Sequence, residues 1–511
     1  MRAKTRPILA AFLIVLATVA SITAPAQAAS RPGPLRWQPC AEDPTAQCAT
    51  LTVPIDRAQP YGPTVAVAVA RRPAGDPARR IGTLVVNPGG PGGSGVDFTL
   101  TSASFFSAEL RDRFDIVGFD PRGVSRSHPV VCTTTLLTAA PPPTIDSAPG
   151  YATFVAYNRR LAADCAGHTG PLYDHVDTLS VARDLEALRV ALGEEQVSFY
   201  GASYGTLLGE QYAELYPRRI RALVLDSVMD HTVDLDGFLG AEAATAQDSF
   251  DEFVAWCARS TECAVHGQDV RKLWAGLLTA ARRGTLRDPN DTAYRLTLYE
   301  LVSVAFTSMY DPQWHSLGIF IKDATAGTGT RLARAAPVDV SEHNFHAAFC
   351  DDWAMPVAGY AELRARLDRI ARTGPQMPFS PLALTSAYGC LGRPGVVNNP
   401  QRALSPARTG PVLLVNARHD PATPYPWAQH VAAQLGPAAS LLTYEGWGHT
   451  VYGRSDCVGG RVDHYLLTVE PPPAGASCPG VEPKAAGVGS IAPRRSSRAG
   501  RNDHARWATV R

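Results

Sequence analysis

Short apolar segments alternate with amphipathic ones along the first part of the chain, up to Asp230. The apolar segments are rich in β-branched residues, as buried strands are. They cover residues 50–55, 65–70, 83–87, 115–119, 197–200 and 222–225. The first two are predicted to pair antiparallel. The alternation of the later ones with helical patterns predicts a mainly parallel sheet flanked by helices, which is an α/β fold.

One helical segment between these strands has clear start and stop signals. Residues 178–192 place leucine and alanine side chains on a single stripe, which predicts an amphipathic helix. Asp177 or Thr178 is the expected N-cap, and Gly193 is expected to end the helix.

After Asp230 the pattern changes to helices without strands. Helical patterns cover residues 250–257, 270–281, 299–309 and 360–372, and strand patterns resume only at 411–415 and 440–444. A helical cap inserted at 233–405 is therefore predicted, between core segments 29–232 and 406–478. Such a cap is expected over the carboxyl ends of the strands, where open α/β sheets bind ligands.

The two ends of the chain differ from the rest. A basic start, apolar residues 8–22 and the small-residue site Ala26-Gln-Ala28 predict a Sec-type signal peptide at 1–28, hence a secreted protein with no membrane segment after cleavage. Retention as a membrane anchor is the alternative. Residues 479–511 are rich in Pro, Gly, Ser and Arg, which predicts a disordered tail or, alternatively, a tether to anionic surfaces.

Charge and cysteine content narrow the classes of function. Lys and Arg total 48 against 47 Asp and Glu, so the formal net charge of +1 argues against nucleic acid as a partner. Ten cysteines follow the predicted cleavage site, and in an exported chain their even number favours disulfides. Sequence neighbours suggest the pairs Cys40–Cys48, Cys132–Cys165, Cys257–Cys263, Cys350–Cys390 and Cys457–Cys478. The sequence has no cluster with zinc-ligand spacing, so no structural metal is predicted.

A glycine-flanked serine follows the predicted strand 197–200 and precedes a helical pattern. Gly201-Ala-Ser203-Tyr-Gly205 is typical of the tight strand-to-helix turn that lifts a nucleophilic serine above an α/β sheet. Glycine two positions before and after the serine leaves room for that turn. Ser203 is therefore the candidate nucleophile.

A serine hydroxyl needs a base, and the base needs an orienting group. Asp420 follows strand 411–415 and His449 follows strand 440–444, so both lie at strand carboxyl ends, as Ser203 does. The order Ser, Asp, His is that of α/β-hydrolases. Asp420 could instead form only an Asx-turn, and His419 and His430 are rival histidines.

An oxyanion hole needs main-chain N–H donors. Tyr204, next to the nucleophile, would supply one. Gly90, with Gly89 as its neighbour, would supply the other from the glycine-rich loop that follows strand 83–87. The alternative, a phosphate-binding loop, is disfavoured because no Gly-Lys-Ser/Thr ending follows.

Four segments stand out beside Asp420 and His449: Asn87-Pro-Gly-Gly-Pro-Gly-Gly-Ser-Gly95, Phe119-Asp-Pro-Arg-Gly123, Gly201-Ala-Ser-Tyr-Gly-Thr-Leu-Leu-Gly209 and Val224-Leu-Asp226. With them the chain resembles the secreted bacterial tripeptidyl aminopeptidases, relatives of the prolyl aminopeptidases with the α/β-hydrolase fold. The resemblance implies an exopeptidase that binds a free peptide N-terminus under the cap and releases a short fragment through an acyl-enzyme on Ser203. Pro88 stands where prolyl aminopeptidases usually carry His, which favours the tripeptidyl branch, and Ser125 replaces a glycine of the Asp-x-Arg-Gly-x-Gly-x-Ser pattern.

Binding of an ammonium group requires ionised carboxylates near the nucleophile. Asp351 and Asp352, beside Cys350 and Trp353 in the cap, are the candidates, with a solvated acidic turn as the alternative.

Together these observations predict a monomeric secreted serine exopeptidase that acts on peptide substrates and needs no metal or organic cofactor. Ser203 is the expected nucleophile, His449 the base and Asp420 its orienting acid. A carboxylesterase or lipase-like hydrolase is the alternative within enzymes, because the fold does not determine the substrate. A non-catalytic binding protein on the same fold is the alternative from another class.

Overall fold

The computed structural model describes residues 33–327, 340–405 and 410–483. Its strands are β1 (Gln38–Pro39), β2 (Gln47–Pro54), β3 (Thr64–Arg72), β4 (Gly82–Asn87), β5 (Phe114–Phe119), β6 (Val131–Thr133), β7 (Val197–Ala202), β8 (Ile220–Asp226), β9 (Arg287–Asp288), β10 (Asp291–Arg295), β11 (Val340–Glu342), β12 (Val412–His419), β13 (Ala439–Trp447) and β14 (Ser477–Pro479). The predicted signal peptide and the tail beyond 483 lie outside the described residues.

The helices lie mostly between these strands and in one long insertion. They are α1 (Gly95–Thr101), α2 (Ala108–Arg113), α3 (Thr134–Thr138), α4 (Ala148–Thr169), α5 (Thr178–Leu192), α6 (Tyr204–Leu215), α7 (Leu235–Arg259), α8 (Val270–Arg282), α9 (Leu298–Tyr310), α10 (Trp314–Ala326), α11 (Phe345–Asp352), α12 (Tyr360–Thr373), α13 (Pro381–Cys390), α14 (Tyr425–Leu435) and α15 (Asp456–Thr468).

Ten strands form the central sheet, in the order β1-β2-β3-β5-β4-β7-β8-β12-β13-β14. The pairs from β1 to β5 are antiparallel, and all pairs from β5 to β14 are parallel. Strands β4, β5 and β7 are buried along their whole length, as expected for parallel strands covered by helices on both faces. The predicted α/β-hydrolase fold, with its antiparallel opening pair, is confirmed.

Helix α5 has the predicted bounds. The Asp177 side chain accepts a hydrogen bond from the Ser180 main-chain N–H, so Asp177 rather than Thr178 is the N-cap. Gly193 follows the helix with φ +74°, a conformation that glycine adopts without strain.

Helices α7 to α13 lie between β8 and β12, where the helical insertion was predicted. Apolar side chains of α7 to α10, including Trp256, Trp274 and Trp314, pack into a core that also takes in Met377 and Ala422. The expectation of helices without strands was wrong in detail. A short hairpin, β9–β10, turns at Pro289-Asn290, and β11 pairs with β6. Strands this short carry too few residues for an alternating pattern to stand out.

All five predicted cysteine pairs are at disulfide distance. Cys350–Cys390 joins α11 to α13, and Cys457–Cys478 joins α15 to β14. In the parts of the chain that the structure describes, no helix has the length and apolar character needed to cross a bilayer.

Candidate active site

Ser203 occupies the tight turn between β7 and α6. Its φ of +56° and ψ of −127° are rare for a residue with a side chain, so the surrounding structure must hold them. A Cβ on Gly201 would lie 2.3 Å from the Gly205 carbonyl oxygen, and one on Gly205 would lie 2.6 Å from Asn87 Oδ1. These contacts explain both glycines of the motif, because any side chain there would force the turn open.

The main chain on each side of Ser203 is tied to a neighbouring strand or helix. The Ser203 N–H donates to the carbonyl of Asp226, the last residue of β8, over 2.8 Å. The Ser203 carbonyl accepts from the N–H and the hydroxyl of Thr206, each over 2.8 Å. The strained turn is thus held by hydrogen bonds on both sides.

Asp420 and His449 form a buried pair. His449 Nδ1 lies 3.0 and 3.1 Å from the two carboxylate oxygens of Asp420, and the residues are 2% and 0% exposed, respectively. Burial alone would raise the pKa of Asp420. The charge of His449, its hydrogen bond and the N–H groups of Thr423 and Ala422 outweigh burial and lower that pKa. Asp420 therefore stays ionised, as an orienting acid must.

Thr423 links the two members of this pair. Its hydroxyl lies 2.8 Å from Asp420 Oδ2 and 3.3 Å from His449 Nδ1, and its N–H donates to Asp420 Oδ1 over 3.0 Å. A hydroxyl three residues after an Asx-turn acid is a common local feature, so the sequence alone did not single it out.

Tyr310 of α9 packs against His449. The Tyr310 and His449 ring centroids are 4.5 Å apart, and the His449 N–H donates to the Tyr310 carbonyl over 2.8 Å. Burial raises the pKa of Tyr310, and the nearby Ser203 hydroxyl opposes that rise. The other ring nitrogen, His449 Nε2, is buried and has no hydrogen-bond partner within the described residues. The structure thus pairs His449 with Asp420 and makes no hydrogen bond between His449 Nε2 and the Ser203 hydroxyl.

Asp226 holds the loop that follows His449. Its carboxylate accepts the N–H groups of Val451 and Tyr452, over 2.8 and 2.9 Å, and the hydroxyl of Tyr200 over 2.7 Å. Sequence analysis noted the segment Val224-Leu-Asp226 but assigned it no role. An acid at the buried end of a parallel strand, where apolar residues are the rule, was the available signal.

The glycine-rich loop lies against the turn that carries Ser203. A Cβ on Gly89, whose φ is +82°, would be 2.8 Å from the Tyr204 nitrogen. A Cβ on Gly90 would be 2.7 Å from the Gly92 nitrogen, so a side chain at position 90 would clash with the main chain of the same loop. Tyr204 is the first residue of α6, and its N–H therefore has no acceptor within the helix. The two predicted donor residues, Tyr204 and Gly90, thus belong to segments in contact with each other.

The predicted ammonium-binding role of Asp351 and Asp352 is corrected by their surroundings. Asp352 is fully buried, and Tyr204, Thr178 and Asn399 donate to its two oxygens. Asp351 is 5% exposed, and burial raises its pKa to about 8, against the charge of Arg393. The Asp352 carboxyl group already accepts from four donors, and Asp351 Oδ1 lies 3.5 Å from the Arg393 guanidinium, so neither acid is left for a ligand amine. Their neighbours along the chain gave no sign of this burial.

A different acid lies near the Asp420–His449 pair. Glu242 of α7 is buried, and its Oε2 accepts the Ser380 hydroxyl over 2.7 Å. Burial raises its pKa well above the ordinary value, and the charge of Asp420 adds to that rise. One turn further along α7, the Thr245 hydroxyl donates to the Asp420 carbonyl over 2.7 Å. Helix α7 therefore carries a buried carboxyl group close to Asp420.

The rival histidines have partners elsewhere. His419 Nδ1 lies 2.7 Å from Asp248 Oδ2, and His430 Nδ1 lies 2.6 Å from Asp230 Oδ2. Among the described residues, the ligand-type side chains that converge as if on a metal are Cys132, Asp164 and Cys165. Since those two cysteines form a disulfide, they offer no thiolate to a metal.

Known proteins resemble this chain over most of its length. Residues 82–454 match the family described as the alpha/beta hydrolase fold. The serine protease Hip1 of Mycobacterium tuberculosis is 31% identical over 484 residues, which cover 87% of this chain and 91% of the relative. The tripeptidyl aminopeptidase of Streptomyces coelicolor is 31% identical over 472 residues (86% and 85%). Carboxylesterase B of M. tuberculosis is 33% identical over 456 residues (85% and 86%).

The fold and these similarities define a serine hydrolase. The chain belongs to the α/β hydrolase fold family, and the resemblance to tripeptidyl aminopeptidases noted from its motifs is confirmed.

Proposed function

We propose that this protein is a secreted serine exopeptidase that releases short N-terminal fragments, most simply tripeptides, from peptides with a free amino terminus. The observation that carries the proposal is the buried Asp420–His449 pair, together with Ser203 in its strained turn at the end of β7. Similarity to a tripeptidyl aminopeptidase over 86% of the chain supports the choice of substrate.

In the proposed reaction, the hydroxyl of Ser203 attacks the carbonyl carbon of the scissile peptide bond. His449 Nε2 takes the hydroxyl proton and passes it to the leaving amine, while Asp420 stabilises the imidazolium. The N–H groups of Tyr204 and Gly90 stabilise the oxyanion. Water then attacks the acyl-enzyme with His449 as base, and the N-terminal fragment leaves as a free acid.

Glu242 is the proposed receptor of the substrate's amino group, in place of Asp351 and Asp352. Its Oε2 accepts the Ser380 hydroxyl over 2.7 Å, and burial raises the pKa of the carboxyl group well above its ordinary value. An ammonium group would supply the missing counter-charge and favour the ionised form. Binding of this kind would select free N-termini over blocked ones.

The domain arrangement and export belong to the same proposal. A cap at 233–405 would close over the site between core segments 29–232 and 406–478, and a leader at 1–28 would direct export. The disulfide-rich core supports an oxidising destination. N-terminal sequencing of protein recovered from culture medium tests whether a leader is removed. The expected mature chain starts after Ala28.

Chromogenic amides test the activity. The wild type is expected to hydrolyse tripeptidyl p-nitroanilides with a free N-terminus much faster than N-acetylated ones, and mass analysis of a defined peptide should show tripeptides. Ser203→Ala should abolish hydrolysis, and Glu242→Gln should raise KM for the free tripeptide only. Equal rates on free and acetylated substrates would exclude the exopeptidase.

A second candidate activity is ester hydrolysis. It is favoured by the 33% identity to a carboxylesterase, and the same three residues would carry it. Turnover of short acyl esters without any cleavage of peptides would establish this alternative.

A further inference from the structure

The main chain and the side chain of Tyr204 contribute to two different parts of the fold. Its main chain forms the start of α6 directly after Ser203, while its side chain extends away from the turn to the end of α11. There the phenol donates to Asp352 Oδ2 over 2.7 Å, and both residues are buried. A hydrogen bond to a buried carboxyl group is strong and directional.

Asp352 cannot follow Tyr204 if the turn moves, because three other groups hold its carboxyl group. The Thr178 N–H and hydroxyl donate to Oδ1 and Oδ2 over 2.8 and 2.5 Å, and Asn399 Nδ2 donates to Oδ1 over 2.7 Å. Thr178 opens α5, and the Cys350–Cys390 disulfide joins the helix of Asp352 to α13. Asp352 is therefore a fixed point relative to the sheet.

The peptide unit between Ser203 and Tyr204 is anchored on both sides. Its Ser203 carbonyl accepts the N–H and hydroxyl of Thr206 over 2.8 Å each, the preceding Ser203 N–H is tied to the Asp226 carbonyl over 2.8 Å, and the Tyr204 side chain is tied to Asp352. This peptide unit carries the Tyr204 N–H, and a donor to an oxyanion acts only when it is aimed within a narrow range of angles. Ser203 has a strained φ, so a loosened anchor would let the unit rotate toward a more relaxed conformation.

We propose that Asp352 is a positioning residue for the oxyanion hole, acting through the Tyr204 hydroxyl on the direction of the Tyr204 N–H. The cap thus contributes to transition-state stabilisation without touching the substrate at this point. The inference rests on the proposed serine-hydrolase mechanism, but it does not depend on which acyl group is cleaved.

Tyr204→Phe tests the proposal, because it removes the hydroxyl and keeps the ring and the N–H. Tyr212→Phe is the matched control. Tyr212 lies on the same helix, is also buried, and donates its hydroxyl to the carboxylate of Glu186 over 3.0 Å. Both variants lose one phenol–carboxyl bond, so similar losses of thermal stability are expected.

The two variants should differ in catalysis. Tyr204→Phe is expected to lower the single-turnover acylation rate about ten-fold or more, short of the loss of a whole oxyanion donor. Its KM should change less than about two-fold, and a peptide aldehyde, whose adduct with the serine mimics the oxyanion, should bind about ten-fold more weakly. Tyr212→Phe should keep wild-type values for all three. Wild-type acylation and aldehyde binding in Tyr204→Phe would overturn the proposal.

A double-variant cycle separates positioning of the Tyr204 N–H by Asp352 from a general loosening of the structure around Asp352. If Asp352 acts through Tyr204, adding Asp352→Asn to Tyr204→Phe should lower the acylation rate little further. Fully additive losses would contradict the proposed route. The comparison uses whichever acyl substrate the wild type turns over, so a failure of the exopeptidase assignment shows in the substrate survey and not in this cycle.

Discussion

The main-chain carbonyl of Tyr310, the last residue of α9, accepts the N–H of His449 over 2.8 Å, and the two rings pack with their centroids 4.5 Å apart. A residue of the helical insertion thus contacts both the main chain and the imidazole of His449. The guanidinium of Arg454 also donates to the His449 carbonyl over 2.7 Å. The helical insertion consequently takes part in holding His449 in place.

The Tyr310 ring is predicted to matter more than its hydroxyl. Tyr310→Phe keeps the ring against His449 and should retain kcat within about three-fold, whereas Tyr310→Ala leaves a cavity and should lower kcat at least about ten-fold. Steady-state kinetics on one chromogenic substrate measures both. A large loss in Tyr310→Phe would instead mean that the phenol near Ser203 takes part in the reaction.

Asp420→Asn is predicted to lower kcat by about 10,000-fold with little change in KM, because an amide favours the wrong tautomer of the histidine. Asp248→Asn is the matched control, since Asp248 makes the equivalent contact with the rival His419, 2.7 Å from His419 Nδ1. Activity should be unchanged in Asp248→Asn. The reverse result would move the catalytic pair to His419.

The stability of the protein should depend on pH through Asp351. Burial raises its pKa to about 8, while an unfolded aspartate titrates near pH 3.9. Between these values the folded state holds a proton that the unfolded state has lost. Asp351 therefore lowers the free energy of unfolding progressively as pH rises from about 4 to about 8.

Asp351→Asn removes this dependence, because the amide cannot ionise. The difference in Tm between the variant and the wild type should become more positive from pH 4 to pH 8, by several degrees in total. Asp368→Asn, at an acid whose side chain is 47% exposed, should show a nearly constant difference. A difference for Asp351→Asn that is flat across this range would contradict the raised pKa.

The Cys350–Cys390 disulfide is predicted to stabilise the protein more than Cys257–Cys263. It closes a loop of 40 residues against 6, and loop closure limits the unfolded chain more when the loop is longer. Replacing the first pair by alanine should lower the free energy of unfolding by about 4 kcal/mol, and the second pair by about 2 kcal/mol. Calorimetric Tm values for the two variants test the order, and a larger effect of the shorter loop would refute it.

Much of the fold could be predicted because its signals are local. The apolar β-branched strands, the stripe of α5 and the glycines around Ser203 each act within one element or one turn. Proximity along the chain likewise predicted all five disulfides. The order of Ser203, Asp420 and His449 at strand carboxyl ends was enough to nominate the triad before any distance was known.

The surroundings of the acids could not be predicted in this way. Asp351 and Asp352 follow one another in the sequence and look like an exposed acidic turn, yet both are buried. The donors to Asp352 come from Thr178 and Asn399, which are 174 and 47 positions away. Glu242 and Tyr310 carry no motif, and only the packing of the insertion over the sheet brings them to His449 and Asp420.

The amino-acid sequence by itself determined the sheet, the strained serine turn and the three residues proposed for catalysis, because glycine conformation and side-chain periodicity act over a few residues. The tertiary structure alone decided which carboxyl groups are buried, which of them hold the main chain in place, and that Tyr310 supports His449. Solvation and hydrogen bonding depend on neighbours that chain folding brings from distant positions, and no short segment of sequence specifies them.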